Sequence, residues 1–337
     1  MNNMKAKTII SLLLVMMVIP CFSQSNKMFY PGREWLDDEQ HVINAHGGGL
    51  LFHNGIYYWY GECKLGKTIL PDWATWECYR TDVTGVSCYS SKDLLNWHDE
   101  GIVLRAEKSD SLHDLHPSKV VERPKVIYNA QTRKFVMWMH IDSADYGKAC
   151  AGVAIADSPI GPFDYLGSFR PNGEMSRDQT LFVDDDGKAY QICSSEDNAT
   201  MYIHLLTDDY LKPTKTYTRN FVKKFREAPA VFKHEGKYYL LTSGCSGWDP
   251  NVADIAVADS MLGEWKPLGN PCVGENADKT FYGQSTYVQP VIGHPDLYVA
   301  LFDRWKKTDL PNSRYIWLPL RFEGGKPKIA WKEAWSF

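Results

Sequence analysis

The stretch L-L-F-H-N-G-I-Y-Y-W-Y at residues 50–60 is a hairpin written in sequence: an apolar strand, an Asn-Gly turn, then a strand dense in aromatics. Asn-Gly supplies the left-handed backbone that a two-residue hairpin turn needs, and the aromatic flanks suit a pleated sheet. The pattern recurs at V-I-Y-N-A-Q-T-R-K-F-V-M-W-M (126–139), L-F-V-D-D-D-G-K-A-Y (181–190), V-F-K-H-E-G-K-Y-Y-L-L (231–241) and V-I-G-H-P-D-L-Y-V-A-L-F (291–302). Equivalent aromatics fall at Tyr58, Phe135, Tyr190, Tyr239 and Tyr298. Repetition of this kind predicts one supersecondary unit set repeatedly around an axis.

A second pair of strands follows the opening hairpin. It is visible at G-V-S-C-Y-S-S-K-D-L-L-N-W-H-D-E-G (85–101), A-G-V-A-I-A-D-S-P-I-G-P-F-D-Y-L-G (151–167), M-Y-I-H-L-L-T-D-D-Y-L-K-P (201–213) and A-D-I-A-V-A-D-S-M-L-G-E-W-K-P-L-G (253–269). The last unit is expected to end in strands at 313–322 and 329–335. Two hairpins give four antiparallel strands, the blade of a propeller. Helical periodicity is nearly absent, and Pro and Gly punctuate the chain throughout. A two-sheet sandwich would not produce five matching pairs of hairpins. The expected fold is all-β, a single five-bladed β-propeller with four-stranded antiparallel blades.

Residues 1–23 read as a signal peptide: lysines, then an apolar run from Thr8 to Cys21, then small residues before Gln24. The run is too short for a stable membrane span, and Pro20 makes Cys21 a poor lipoprotein site. Export to a periplasm or the extracellular space is expected, with residues 24–337 forming the propeller domain. About 310 residues suit one repeat architecture. The formal charge of −4 carries no basic cluster, so no nucleic-acid footprint exists. No membrane span follows, and a monomer is expected. Aromatics make up 13% of the chain, with 12 tryptophans. Sugar-binding sites use such rings, although blade packing accounts better for most individual ones.

Without Cys21, seven cysteines remain and no C-x-x-C pair suggests zinc. Cys63 and Cys78 flank an insertion in the first repeat and are the one candidate disulfide. The other cysteines read as small buried apolar residues of strands. Asp184-Asp185-Asp186-Gly187 lacks the alternate spacing and distal glutamate of a calcium loop and reads as a hairpin turn. His113 and His116 have no third ligand. The absence of G-x-S-x-G removes the usual serine-hydrolase signature.

In a propeller the innermost strand of each blade opens on a central pocket. The segments leading into those strands are N-A-H-G-G-G (44–49), E-R-P-K-V (122–126), S-R-D-Q-T (176–180), R-E-A-P-A-V (226–231) and Y-G-Q-S-T-Y-V (282–288). Glu122, Asp178 and Glu227 stand at matching places in three successive blades, with Gln284 in the last. A lone carboxylate before a strand is often only a solvated cap, but three acids and an amide in register point to chemistry.

Around these positions the sequence resembles glycoside hydrolase family 43, and within it the exo-β-1,3-galactanase branch. The resemblance spans nearly the whole chain from Gln24, from A-H-G-G-G and Y-Y-W-Y-G-E (57–62) to S-G-W-D-P-N (246–251) and G-Q-S-T-Y. It implies that Glu227 in E-A-P is the general acid and that Glu122 orients and tunes it. The wider family's base is an aspartate in blade one, where this chain has Asn44 and no carboxylate before Glu62. The galactanase branch shares that gap and has a glutamine, matching Gln284, implicated in positioning water. An inverting hydrolase needs a protonated carboxyl about 6.5–9.5 Å from the group that activates water on the opposite face. Partial burial and Glu122 would raise the pKa of Glu227. A neutral amide is a weak proton acceptor, so Gln284 could orient water through its carbonyl oxygen or as an imidic tautomer.

The same resemblance makes Glu62, Arg123, Tyr146 and Asp178 hydroxyl-binding positions. For Arg123 the alternative is a salt bridge to Glu122. Trp248 is a stacking platform or a core residue. No cofactor is expected; His46 could line the central channel, where some relatives hold a hydrated calcium, and that point stays open. The resemblance implies removal of galactose from a β-1,3-galactan such as plant arabinogalactan. Related family activities (α-L-arabinofuranosidase, β-xylosidase, galactofuranosidase) and a non-catalytic glycan-binding propeller are the alternatives.

Overall fold

A computed structural model describes residues 26–337; the expected signal peptide lies outside them. The chain forms five sheets in sequence order, antiparallel except for one parallel edge pair in the fifth. Their innermost strands are His46–His53, Val120–Asn129, Gln179–Val183, Arg226–His234 and Gln284–Pro290. Each pairs with the aromatic strand that follows it, and the quoted turns close these hairpins. Asp184 to Gly187 is indeed such a turn, with Gly187 N–H donating to Asp184 O. Among the described residues, helix is confined to three short 3-10 turns.

The equivalent aromatics Tyr58, Phe135, Tyr190, Tyr239 and Tyr298 all lie in second strands and are buried between blades. Burying such a side chain contributes about 1.5–3 kcal/mol, which is why the pattern repeats. Much of the surplus tryptophan seals the ring. Trp35, Trp59, Trp97, Trp317 and Trp335 pack where blade five meets blade one. There Phe29 and Trp335 exchange backbone hydrogen bonds of 2.8 and 3.1 Å, tying the two ends of the described chain together.

Three expectations need correction. Blade five has five strands, because Cys272–Val273 pairs in parallel with Lys326–Ala330 on its outer edge. The final strand is therefore 326–330 rather than 329–335, and the Trp331–Trp335 segment turns away to cap the core. Cys63 and Cys78 are both buried free thiols. Their insertion is held instead by the Ile69–Arg80 bridge and by Leu310 N–H donating to Thr68 Oγ1 at 2.8 Å. Cys245 is exposed rather than buried, since it falls just past the second strand of blade four, Lys237–Gly244.

Candidate active site

Four of the five leading segments converge; 44–49 contributes no lining residue, and blade one enters through Glu62 at the end of its second strand, Ile56–Glu62. Glu62, Glu122, Arg123, Tyr146, Asp178, Glu227, Trp248 and Gln284 all line one cavity of about 360 Å³. A larger groove of about 740 Å³ beside Phe29 and Trp97 contains none of them. The hairpin register shifts inside four inner strands, at His46/Gly49, Glu122/Lys125, Glu227/Ala230 and Ser285/Tyr287. Such bulges bend a strand and re-aim its side chains. Arg123 and Ala228, each just before a proline, take φ values of 53° and 54°. The E-R-P and E-A-P segments are thus matching irregularities that turn their glutamates toward the axis.

Arg123 organises this floor. Its backbone N–H donates to Glu62 Oε1 at 2.9 Å and its Nη1 to Ser285 O at 2.7 Å. Nη2 reaches Gln284 Oε1 at 2.6 Å and Asp178 Oδ2 at 3.0 Å. Its salt-bridge partner is therefore Asp178, not Glu122. Asp178 Oδ2 also accepts the Ala228 N–H at 3.0 Å. Glu62 is buried, with its second oxygen 2.7 Å from Lys64 Nζ. Burial outweighs that ammonium and raises the Glu62 pKa.

The two glutamates are pushed in opposite directions. Burial first, then the charge of Asp178, raises the Glu227 carboxyl from 4.5 to about 8, with Glu122 a smaller contributor and Arg123 opposing. The tuning expected of Glu122 thus belongs mainly to burial and Asp178. Gln284 Nε2 donates to Glu227 Oε1 at 2.9 Å, and Asn198 Nδ2 lies 3.4 Å from Oε2. Burial opposes ionisation of Glu122 too, but the contact with His140, the charge of Lys64 and the Tyr146 hydroxyl win and hold it down at about 2. Tyr146 donates to Glu122 Oε1 at 2.7 Å, while His140 Nδ1 lies 3.3 Å from Oε2. His140 Nε2 in turn meets Asp142 at 2.8 Å. Against the cost of burial, these two carboxylates raise His140 to about 10, so it is an imidazolium at neutral pH.

Glu122, His140 and Asp178 have the spacing of a metal site. Imidazolium, Lys64 and Arg123 already supply positive charge there, and a cation does not fit beside them. Around His46 the central channel is hydrogen-bonded internally. His46 stacks on Tyr315 with Nδ1 3.4 Å from Asp303, whose other oxygen accepts the Gly47 N–H at 2.6 Å. The Gly47 carbonyl accepts from the buried Nζ of Lys125 at 2.8 Å. The other ring nitrogen of His46, Nε2, is buried with no hydrogen-bond partner among the described residues.

Gln284 departs from expectation. Its Oε1 accepts from Arg123 and from Trp305 Nε1 at 2.9 Å, so the carbonyl oxygen has no lone pair left for water. Trp248 crosses Trp305 edge-on at 5.2 Å and forms pocket wall rather than core. Sequence reasoning missed His140, Asn198, Trp305, Trp76 and the exposed Cys245, all of which line the cavity. His140 and Asp142 did leave a signal: two polar residues at alternate places in the apolar run V-M-W-M-H-I-D, where a strand turns both to one face. Trp76 left none, because only the fold brings its insertion over Tyr146, at a centroid distance of 5.3 Å. His113 and His116 are not in the cavity.

The model for glycosyl hydrolases family 43 matches residues 73–304. The chain belongs to glycosyl hydrolase family 43. Among solved structures of the family, a β-1,3-galactosidase bound to galactodeoxynojirimycin is 45% identical, with TM-score 0.85, covering 92% of this chain and all of the other. An exo-β-1,3-galactanase from Phanerochaete chrysosporium bound to galactose is 35% identical, with TM-score 0.82, covering 92% of this chain and 68% of that one. An exo-β-1,3-galactanase from Clostridium thermocellum is 38% identical, with TM-score 0.80, covering 91% and 66%. No curated protein matches the chain.

Proposed function

We propose that this family 43 chain is an exported, inverting exo-glycosidase that releases galactose from β-1,3-linked galactan. The observation that carries the reading is the split between two carboxyls in one pocket: Glu227 raised to about 8 and Glu122 lowered to about 2. At neutral pH one is a proton donor and the other an anion, the pairing that glycoside cleavage needs. A lectin has no use for a buried carboxyl held protonated. The substrate assignment rests on the β-1,3-galactan activities of the similar structures, and export rests on residues 1–23.

Glu227 protonates the leaving oxygen of the scissile bond. Its Oε1 faces the Gln284 N–H, so the acid proton belongs on Oε2. Glu122 stays ionised and stabilises the positive charge that develops on the sugar ring, with His140 fixing its orientation. Gln284 is assigned to holding Glu227 through its amide N–H, and Asp178, Arg123, Glu62 and Tyr146 to the hydroxyls of the terminal sugar. Trp248 and Trp76 offer apolar ring faces at the wall.

The test is release of galactose from β-1,3-galactobiose and galactotriose, followed by proton NMR of the anomeric signals. α-Galactose is the expected first product. A β-anomer first would overturn inversion, and no galactose would overturn the substrate.

A further inference from the structure

Gln284, like Asn198 beside it, has two polar atoms that look alike in shape but not in chemistry. Its surroundings settle which atom faces where. Oε1 meets the guanidinium of Arg123 at 2.6 Å and the indole Nε1 of Trp305 at 2.9 Å. Both partners can only donate, so a carboxamide nitrogen in that place would set N–H against N–H. Nε2 therefore points the other way, to Glu227 Oε1 at 2.9 Å and Ser243 Oγ at 3.3 Å. Arg123 is held independently by Ser285 O and Asp178. Trp305 is held by Trp248, edge-on at 5.2 Å, by His46 at 5.7 Å, and by the Lys64 ammonium 5.6 Å from its ring centre.

We propose that Trp305 is a positioning residue: together with Arg123 it occupies both lone pairs of Gln284 Oε1 and so presents the amide nitrogen, not the oxygen, to Glu227 and the reacting sugar. This rests on the reading of the pocket as a glycosidase site. Its consequence is that the amide is a donor to the acid, favouring the ionised form of Glu227 and confining the acid proton to Oε2. Without the Trp305 donor the amide is freer to rotate. Turned over, it would accept from the protonated acid and favour the neutral form.

Trp305→Phe removes the N–H and keeps a ring in the wall. With glutamate labelled at the side-chain carboxyl carbon, the Glu227 signal is identified by its loss in Glu227→Gln and titrated by NMR. Loss of a hydrogen bond of about 0.5–1.5 kcal/mol predicts a midpoint about half to one pH unit higher in Trp305→Phe, with Trp305→Tyr, which restores a donor, lying closer to wild type. A Phe variant titrating at the wild-type midpoint would overturn the proposal, as would a Tyr variant indistinguishable from Phe. On β-1,3-galactobiose, kcat should fall about tenfold in the Phe variant with KM nearly unchanged. The titration needs no substrate, so an inert wild-type protein would defeat the galactanase reading without touching this one. A measurement free of any Trp305 variant is exchange of the Trp305 indole proton. It should be slow in wild type and fast in Gln284→Ala, and rapid exchange in wild type would also overturn the proposal.

Discussion

Glu227→Gln should trade activity for stability, with a pH dependence that reports the environment of the acid. The fold lifts this carboxyl from 4.5 to about 8, chiefly by burial. The folded chain therefore holds the proton more tightly than the unfolded one. That contribution is fully present below pH 4.5 and is lost as pH rises through about 8. At about 1.4 kcal/mol for each tenfold in proton affinity, the loss is roughly 3 kcal/mol at pH 7 and about 5 kcal/mol at pH 9. Glutamine cannot ionise and escapes it. In a domain of this size, 3 kcal/mol corresponds to roughly 5 °C in Tm. Thermal melts from pH 4 to 9 should show the variant gaining on wild type as pH rises, with the difference collapsing toward pH 4. Hydrolysis of β-1,3-galactobiose by the same protein should fall by about two to four orders of magnitude. A stability difference that ignores pH, or a variant with near-native turnover, would refute the assignment of Glu227 as a raised, buried acid.

Other consequences follow from the same geometry. The kcat/KM profile should be flat through neutral pH and fall tenfold per unit above about 8 as Glu227 ionises, with the limb of Glu122, near 2, below the working range. His140→Gln removes the imidazolium that holds Glu122 down, so an acid limb should climb toward pH 4; a profile unchanged at low pH would exclude this role. Gly47→Ala puts a Cβ into the Glu62 carboxylate at φ 59°. It should cost at least about 1–2 kcal/mol from the left-handed backbone alone and weaken substrate binding, measured by urea unfolding and KM.

The lesson for reading such chains lies in particular residues. Glu122, Asp178, Glu227 and Gln284 were legible because each stands at a fixed place before a strand, and five strands around an axis must bring those places together. The amide of Gln284 was legible in position but not in orientation. Which of its atoms faces the acid depends on Trp305, twenty-one residues away in sequence and 2.9 Å away in space. The salt bridge of Arg123 to Asp178 rather than Glu122 was likewise hidden, because a bulge re-aims the side chain without changing its place in the sequence.

The hairpin at 50–60 and its four counterparts by themselves determined the blade and the ring. Alternation and turn chemistry are local, and repetition converts them into architecture. The acid's register came with that ring. Only the tertiary structure decided the charge states: that Glu227 keeps its proton while Glu122 loses it. Those depend on burial, on His140 meeting Glu122 across the hairpin of blade two, and on Lys64, Arg123 and Asp178 meeting across blades, and electrostatic energy follows distance in space rather than order along the chain.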